Sequence, residues 1–204
     1  MATYSTTAII NYALVLCGAT TVSSITDDTP HARALNVVYE MARKKFLTDN
    51  KWTFSTTRST LVTASTSAIA WLHAEEAYAY TRPSAALRIW EFSDRRAICR
   101  EEGDYIISDS ADLGAKYTFD QSDLSKWAPA AIEAFSYKLA ADIAFQILNS
   151  ASKAADLKKY YKETALPDAQ SQNSQTGHHQ SVIDDGWEAA KFSNGGGDPS
   201  RSYS

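Results

Sequence analysis

Apolar side chains recur at helical spacing in four stretches of the chain and at strand spacing between them. Ser5 to Cys17 reads as a helix, with Ile9, Tyr12, Ala13 and Leu16 on one face, Ser5 or Thr6 as cap, and Gly18 just past its end. A polar connector, Thr20 to Thr29, offers Ile25 as its one anchor. Thr29 and Pro30 then open a second helix with the stripe Leu35, Val38, Tyr39, Ala42 and Phe46. Arg43, Lys44 and Lys45 sit in its last turns, where the helix dipole favours cations.

The period changes after Asn50. Trp52 and Phe54 alternate with polar residues, and so do Leu61 and Thr63. Residues 64–70 are small and polar, as in a loop, and Trp71 to Tyr80 fits neither period. Leu87–Phe92, Ala97–Arg100, Tyr105–Ile107 and Ala115–Phe119 read as short strands. Turns fall at Asp94-Arg95, Glu102-Gly103-Asp104 and Asp112-Leu113-Gly114.

Helical spacing resumes near Pro129. From Ala130 to Leu148 one face carries Ile132, Phe135, Leu139 and Ile143, and another carries Ala134, Tyr137, Ala141, Phe145 and Leu148. A helix apolar on two faces packs on two sides. Ser150 or Ser152 caps a fourth helix with Ala154, Leu157 and Tyr161 inward, and Pro167 is expected to end it. The pattern predicts an α+β chain: a four-helix bundle with an inserted small antiparallel β domain and an extended C-terminal tail. Residues 1–50 and 121–166 form the bundle, 51–120 the insertion, and 167–204 the tail.

The tail holds five of the eight glycines but only five large apolar side chains: Val182, Ile183, Trp187, Phe192 and Tyr203. Such a segment buries too little surface to offset its own ordering entropy. It is expected to take its shape from another surface, with those five residues as anchors to a partner.

Composition narrows the classes. Of 204 residues, 44% are hydrophobic and 22% charged, as in ordinary globular domains. Aromatics reach 11%, led by tyrosine and tryptophan, which suit interfaces. The net charge of −4 speaks against a protein that grips nucleic acid by neutralising phosphates, though not against one that lets DNA slide past. Cys17 and Cys99 stand in unrelated contexts and read as free thiols of a reducing compartment. No run of apolar residues is long enough to span a membrane, and Met1 to Ser5 does not resemble a signal peptide, so synthesis in the cytoplasm is expected.

Several motifs occur in a fixed order. Ile10-Asn11-Tyr12-Ala13-Leu14 with Cys17-Gly18 closes the first helix, and Asp27-Asp28 with Ala32, Ala34 and Tyr39 leads the second. Lys51-Trp52-Thr53-Phe54 follows, with Arg58 and Leu61 behind it. Then come Tyr78-Ala79-Tyr80-Thr81-Arg82-Pro83, Leu87-Arg88-Ile89, and Tyr117 ahead of Trp127-Ala128-Pro129. Leu139-Ala140-Ala141 and Leu157, Tyr160, Tyr161 and Ala165 complete the set. In order and spacing, over roughly residues 8–172, this chain resembles the tail tubular protein A family of short-tailed bacteriophages, the head-to-tail adaptors beneath the portal. The resemblance implies a homo-oligomeric ring of twelve copies, a portal protein above, a nozzle or tail tube protein below, passage of genomic DNA through the centre, and a place in the virion neck.

The candidate chemistry is sparse. Acid pairs occur at Asp27-Asp28, Glu75-Glu76, Glu101-Glu102 and Asp184-Asp185, but neighbours on an extended chain point to opposite faces. A glycosidase needs two carboxylates facing one another across a sugar, so a virion-associated carbohydrate hydrolase stands only as the alternative. His178-His179 has only Asp184 and Asp185 within reach as further metal ligands, and His31, in the first helical turn, is expected at the surface. No nucleophile-elbow, zinc-helix, phosphate-loop or dinucleotide motif is present, so the sequence calls for no catalytic residue, cofactor or metal. Arg95, Arg96 and Arg100 form the densest basic group outside a helix. They suit a charged hairpin face, an acidic neighbouring subunit or a DNA channel. Trp71, Tyr78 and Tyr80 suit core or interface, with core favoured for Tyr80.

Overall fold

A computed structural model describes residues 4–65, 69, 72, 73 and 76–177. Helix α1 spans Thr6–Cys17. Ser5 Oγ accepts from the Ala8 amide at 3.1 Å, and Gly18 closes the helix at φ 73°, a conformation that costs glycine least. Helix α2 spans Pro30–Asp49, with Thr29 Oγ1 accepting from the Ala32 amide at 3.1 Å. Helix α3 spans Pro129–Leu148 and ends on Asn149 at φ 47°. Helix α4 spans Ala151–Tyr160, capped by Ser150.

The chain does not stop at Pro167. A π-turn over Tyr161–Ala165 leads straight into α5, Leu166–Gly177, so α4 and α5 form one rod. Proline inside a helix lacks an amide hydrogen and its ring collides with the carbonyl four residues back. The wide π-turn, in which the Leu166 amide reaches the Tyr161 carbonyl, opens the backbone just ahead of that ring. The expected extended tail from residue 167 is therefore corrected: its first eleven residues are helical. Asn173 fixes the rod to the loop after α2, accepting from the Thr53 amide at 2.8 Å and donating to the Lys51 carbonyl at 3.0 Å.

Between α2 and α3 the described residues form seven strands in two antiparallel sheets. These are β1 (Thr56–Thr60), β2 (Val62–Thr63), β3 (Tyr78–Thr81), β4 (Ala86–Phe92), β5 (Cys99–Glu102), β6 (Tyr105–Ser108) and β7 (Gly114–Phe119). One sheet has the order β1-β7-β4 and the other β2-β3-β6-β5. The chain crosses between sheets at Leu61, whose amide donates to the Leu113 carbonyl at 2.8 Å. Leu61, Tyr80, Ala86, Ile106, Leu113, Ala115 and Tyr117 are buried as a separate hydrophobic core.

This overturns the expectation of a small sheet inserted in a helical bundle. The strands are extensive and bury a core of their own beside the helical one. The sequence pattern underestimates them for a physical reason. Strand β1 reads Thr-Thr-Arg-Ser-Thr, without a large apolar residue, and is held by backbone pairing to β7 from Thr56↔Thr118 to Thr60↔Gly114. Trp71–Tyr80, of neither period in sequence, ends in β3. Trp71 itself lies outside the described residues. Strand β5 starts two residues later than the pattern suggests because Gly103, at φ 60°, sets a two-residue turn that pairs Glu102 with Tyr105.

Helix α3 is the centre of the helical layer and packs against α1, α2, α4 and α5. An aromatic column joins this layer to the start of the strands. Phe46 lies between Trp52 at 4.8 Å and Trp127 at 5.7 Å, and Trp127 stacks on Phe54 at 5.0 Å. Trp52 is 1% exposed, and its Nε1 donates to the Phe46 carbonyl at 3.0 Å. The chain there is a 3-10 turn, Thr53–Ser55, rather than the strand that Trp52 and Phe54 suggest.

Candidate functional site

The outward face of the β1-β7-β4 sheet gathers cations. Register puts Arg58 of β1 opposite Lys116 of β7, and Lys116 opposite Glu91 of β4. The next row is Thr56, Thr118 and Arg88. Strand β4 reaches this pairing through irregularities between Ala86 and Arg88 and between Ile89 and Glu91. These bulges break strict alternation, so Arg88 and Glu91, three residues apart, share one face.

Trp90 sits beside that face. Its Nε1 donates to the buried Thr118 Oγ1 at 2.7 Å, and the Arg88 guanidinium lies 4.1 Å from its ring centroid. Arg88 also donates to the Thr48 carbonyl, where α2 ends, at 3.3 Å. Lys51 reaches over from the loop after α2 and pairs closely with Glu91, and Lys116 lies 3.8 Å from the same carboxylate.

A groove of about 460 Å³ crosses the ends of the three strands, lined by Arg58, Thr60, Glu91, Ser93, Arg95 and Lys116, among others. Lys51, Arg58, Arg95 and Lys116 thus surround one carboxylate. Among the described residues Arg58 and Arg95 form no ion pair. The electrostatics register the imbalance. Burial first, then the Lys51 charge, pulls the Lys116 ammonium below its ordinary value, against the opposing pull of Glu91. The hydrogen bond from Lys51, followed by the charges of Lys116 and Lys51, holds the Glu91 carboxyl below the usual carboxylate range. Such a site can bind carboxylate or phosphate through guanidinium forks.

The arginines singled out in the sequence separate. Arg95 lines the groove. Arg96 is exposed in the same turn, its amide donating to Asp94 Oδ1 at 2.9 Å. Arg100 lies on β5 in the other sheet and pairs with Glu76 at 2.9 Å and Glu102 at 3.9 Å. Lys51, Arg58 and Lys116 complete the cluster instead. No local pattern joins them, because the strand register that brings them together is not local. The expected tail anchors Val182, Ile183, Trp187, Phe192 and Tyr203, with His178, His179, Asp184 and Asp185, lie outside the described residues.

Several other titratable groups named from the sequence have structural partners. Asp27 accepts from the Ser23 and Ser24 amides at 2.7 and 2.9 Å, and Asp28 lies 3.6 Å from Arg33. Glu101 lies 3.4 Å from Arg82. Tyr80 is a core residue, 1% exposed, donating to the Ser110 carbonyl at 2.6 Å. Burial raises both thiols, Cys17 and Cys99, and so disfavours the thiolate.

A second surface is apolar. Val37 and Met41, one turn apart on α2, are 78% and 74% exposed, and Phe145 on α3 is 59% exposed. A shallow groove of about 610 Å³ runs between these helices, lined by Ala34, Val37, Val38 and Ile147 together with the polar His31, Arg33 and Gln146. Comparison with protein-family models and with curated proteins gives no match.

Proposed function

We propose that this chain is a structural head-to-tail adaptor of a phage virion, a ring subunit between a portal protein and a nozzle or tail tube, through which genomic DNA passes. It works by shape rather than by catalysis. The observation that carries this reading is the apolar side of the helical layer, where Val37 and Met41 stand almost fully in solvent. Large apolar side chains exposed together mark surfaces that other proteins cover. The ordered motifs shared with the tail tubular protein A family supply the kind of assembly. The sheet layer presents a second, basic surface, so two neighbours of different chemistry can be held at once. Residues 178–204, with Trp187 and Phe192, extend the contact to the partner below, and repetition around a ring makes weak single contacts strong.

Native mass measurement of the purified chain, alone and mixed with a portal ring, tests the reading. Ring-sized assemblies are expected in the mixture and are lost in Val37→Glu/Met41→Glu. A chain that stays monomeric in both samples sinks the proposal.

A further inference from the structure

The basic groove has a surplus of charge and no occupant among the described residues. Around Glu91 stand Lys51, Arg58, Arg95 and Lys116. Its span limits what fits. Three adjacent strands measure only about 10 Å across, far less than a duplex needs for its phosphate contacts, and a chain of net charge −4 does not attract a polyanion from a distance. A short run of carboxylates matches the size and the sign.

The sequence contains such a run. Asp184, Asp185 and Glu188 flank Trp187, and no cation occurs between Gln180 and Ala190. These residues lie outside the described ones, and it is their sequence that bears here. The point of departure does lie within the described residues. Helix α5 ends at Gly177, one turn beyond Asn173, which donates to the Lys51 carbonyl at 3.0 Å. Lys51 in turn pairs with Glu91 at the groove. Six residues lie between Gly177 and Asp184, and the seven steps across them can span up to about 23 Å. Trp187 offers a ring face to a guanidinium, as Trp90 already does to Arg88.

We propose that the groove across β1, β7 and β4 is a receptor for an acidic, aromatic peptide segment, and that its occupant is the chain's own Asp184–Glu188. Carboxylates of that segment engage Arg58 and Arg95, the two guanidiniums lining the groove, neither of which forms an ion pair among the described residues. The inference does not rest on the adaptor reading, and it differs from it at one point: Trp187 and the basic sheet surface are assigned to each other within one chain rather than to a partner below.

Amide spectra of the isotopically labelled full chain test this. Asp184→Asn/Asp185→Asn/Glu188→Gln is expected to shift the amides of Arg58, Arg95, Gly114 and Lys116, leaving the indole signals of Trp52 and Trp127 in place. Arg58→Gln/Arg95→Gln is expected to shift the amides of residues 182–189 reciprocally. If that pair fails to fold, the C-terminal triple substitution decides alone. Unmoved groove amides in the triple variant overturn the proposal. So do shifts that vanish on dilution, which assign the occupant to a second copy. A short single-stranded DNA that moves the groove amides equally in wild type and triple variant overturns it in favour of a nucleic-acid site.

Discussion

Arg43, in the interior of α2 and 5% exposed, donates to Asp120, the residue that follows β7, at 3.1 Å. This ion pair ties the helical layer to the three-stranded sheet. Glu40 supports the same guanidinium at 2.7 Å, and Arg43 Nε has no hydrogen-bond partner among the described residues. Removing one member of a buried pair strands the other, which typically costs about 3–5 kcal/mol. The Asp120 side chain is 32% exposed, so water recovers part of that. Asp120→Ala is expected to lower stability by about 2 kcal/mol, a fall of roughly 6 °C in a thermal melt for a chain of this size.

Trp52 is a fully buried member of the aromatic column. Trp52→Ala removes stacking on Phe46 and Phe54, 4.8 and 5.7 Å away, and leaves a large cavity. Urea unfolding should show a loss of about 3–5 kcal/mol. Val62→Ala, at a side chain 71% exposed, serves as the control and should stay within about 0.5 kcal/mol of wild type.

Asn173 is the clasp of α5, with bonds to the Thr53 amide, the Thr53 hydroxyl and the Lys51 carbonyl. Asn173→Ala should loosen the end of the rod by about 1–2 kcal/mol, since each bond contributes roughly 0.5–1.5 kcal/mol net. Hydrogen exchange of α5 amides should rise about tenfold while α3 amides stay protected.

Alkaline pH should unfold the helical layer through two phenols. Burial, reinforced by Tyr12 and Tyr160, pushes Tyr137 up to about 12. Burial, reinforced by Asp49 and Asp142, pushes Tyr161 up to about 12. An unfolded phenol titrates near 10. Below pH 10 both states keep the proton, and stability does not depend on these groups. Between pH 10 and 12 the unfolded chain loses its protons first, so stability falls as pH rises through that window. Urea midpoints measured from pH 9 to 12 should show this decline, and Tyr161→Phe should make it shallower.

Which parts of this fold are legible in sequence follows from the range of the forces. The Ser5, Thr29 and Ser150 caps, the Gly18 terminus and the turn at Gly103 depend on neighbours a few residues away. Their side-chain chemistry identifies them in the chain itself. Pro167 misleads because its local meaning is to stop a helix, and a π-turn of one added residue removes the collision. Strand β1 is misread because its polar residues contribute pairing through backbone groups that every sequence possesses. The site divides in the same way. Arg95 stands out as part of a basic cluster in sequence. Arg58 and Lys116 join it only because β1 and β7 pair in one register, and a slip of one residue would turn them to opposite faces.

Spacing along the chain is enough to mark four amphipathic helices, several of their end signals, most of the strand positions and a C-terminal stretch poor in apolar side chains. Those are properties of spacing and of single residues, felt within a turn or two. It takes the folded chain to show that the strands form two sheets with their own core, that α5 continues past Pro167, and that Lys51, Arg58, Arg95 and Lys116 converge on Glu91. Such meetings join residues up to 65 positions apart, from Lys51 to Lys116. They are fixed by register and packing across the whole chain, which no local pattern encodes.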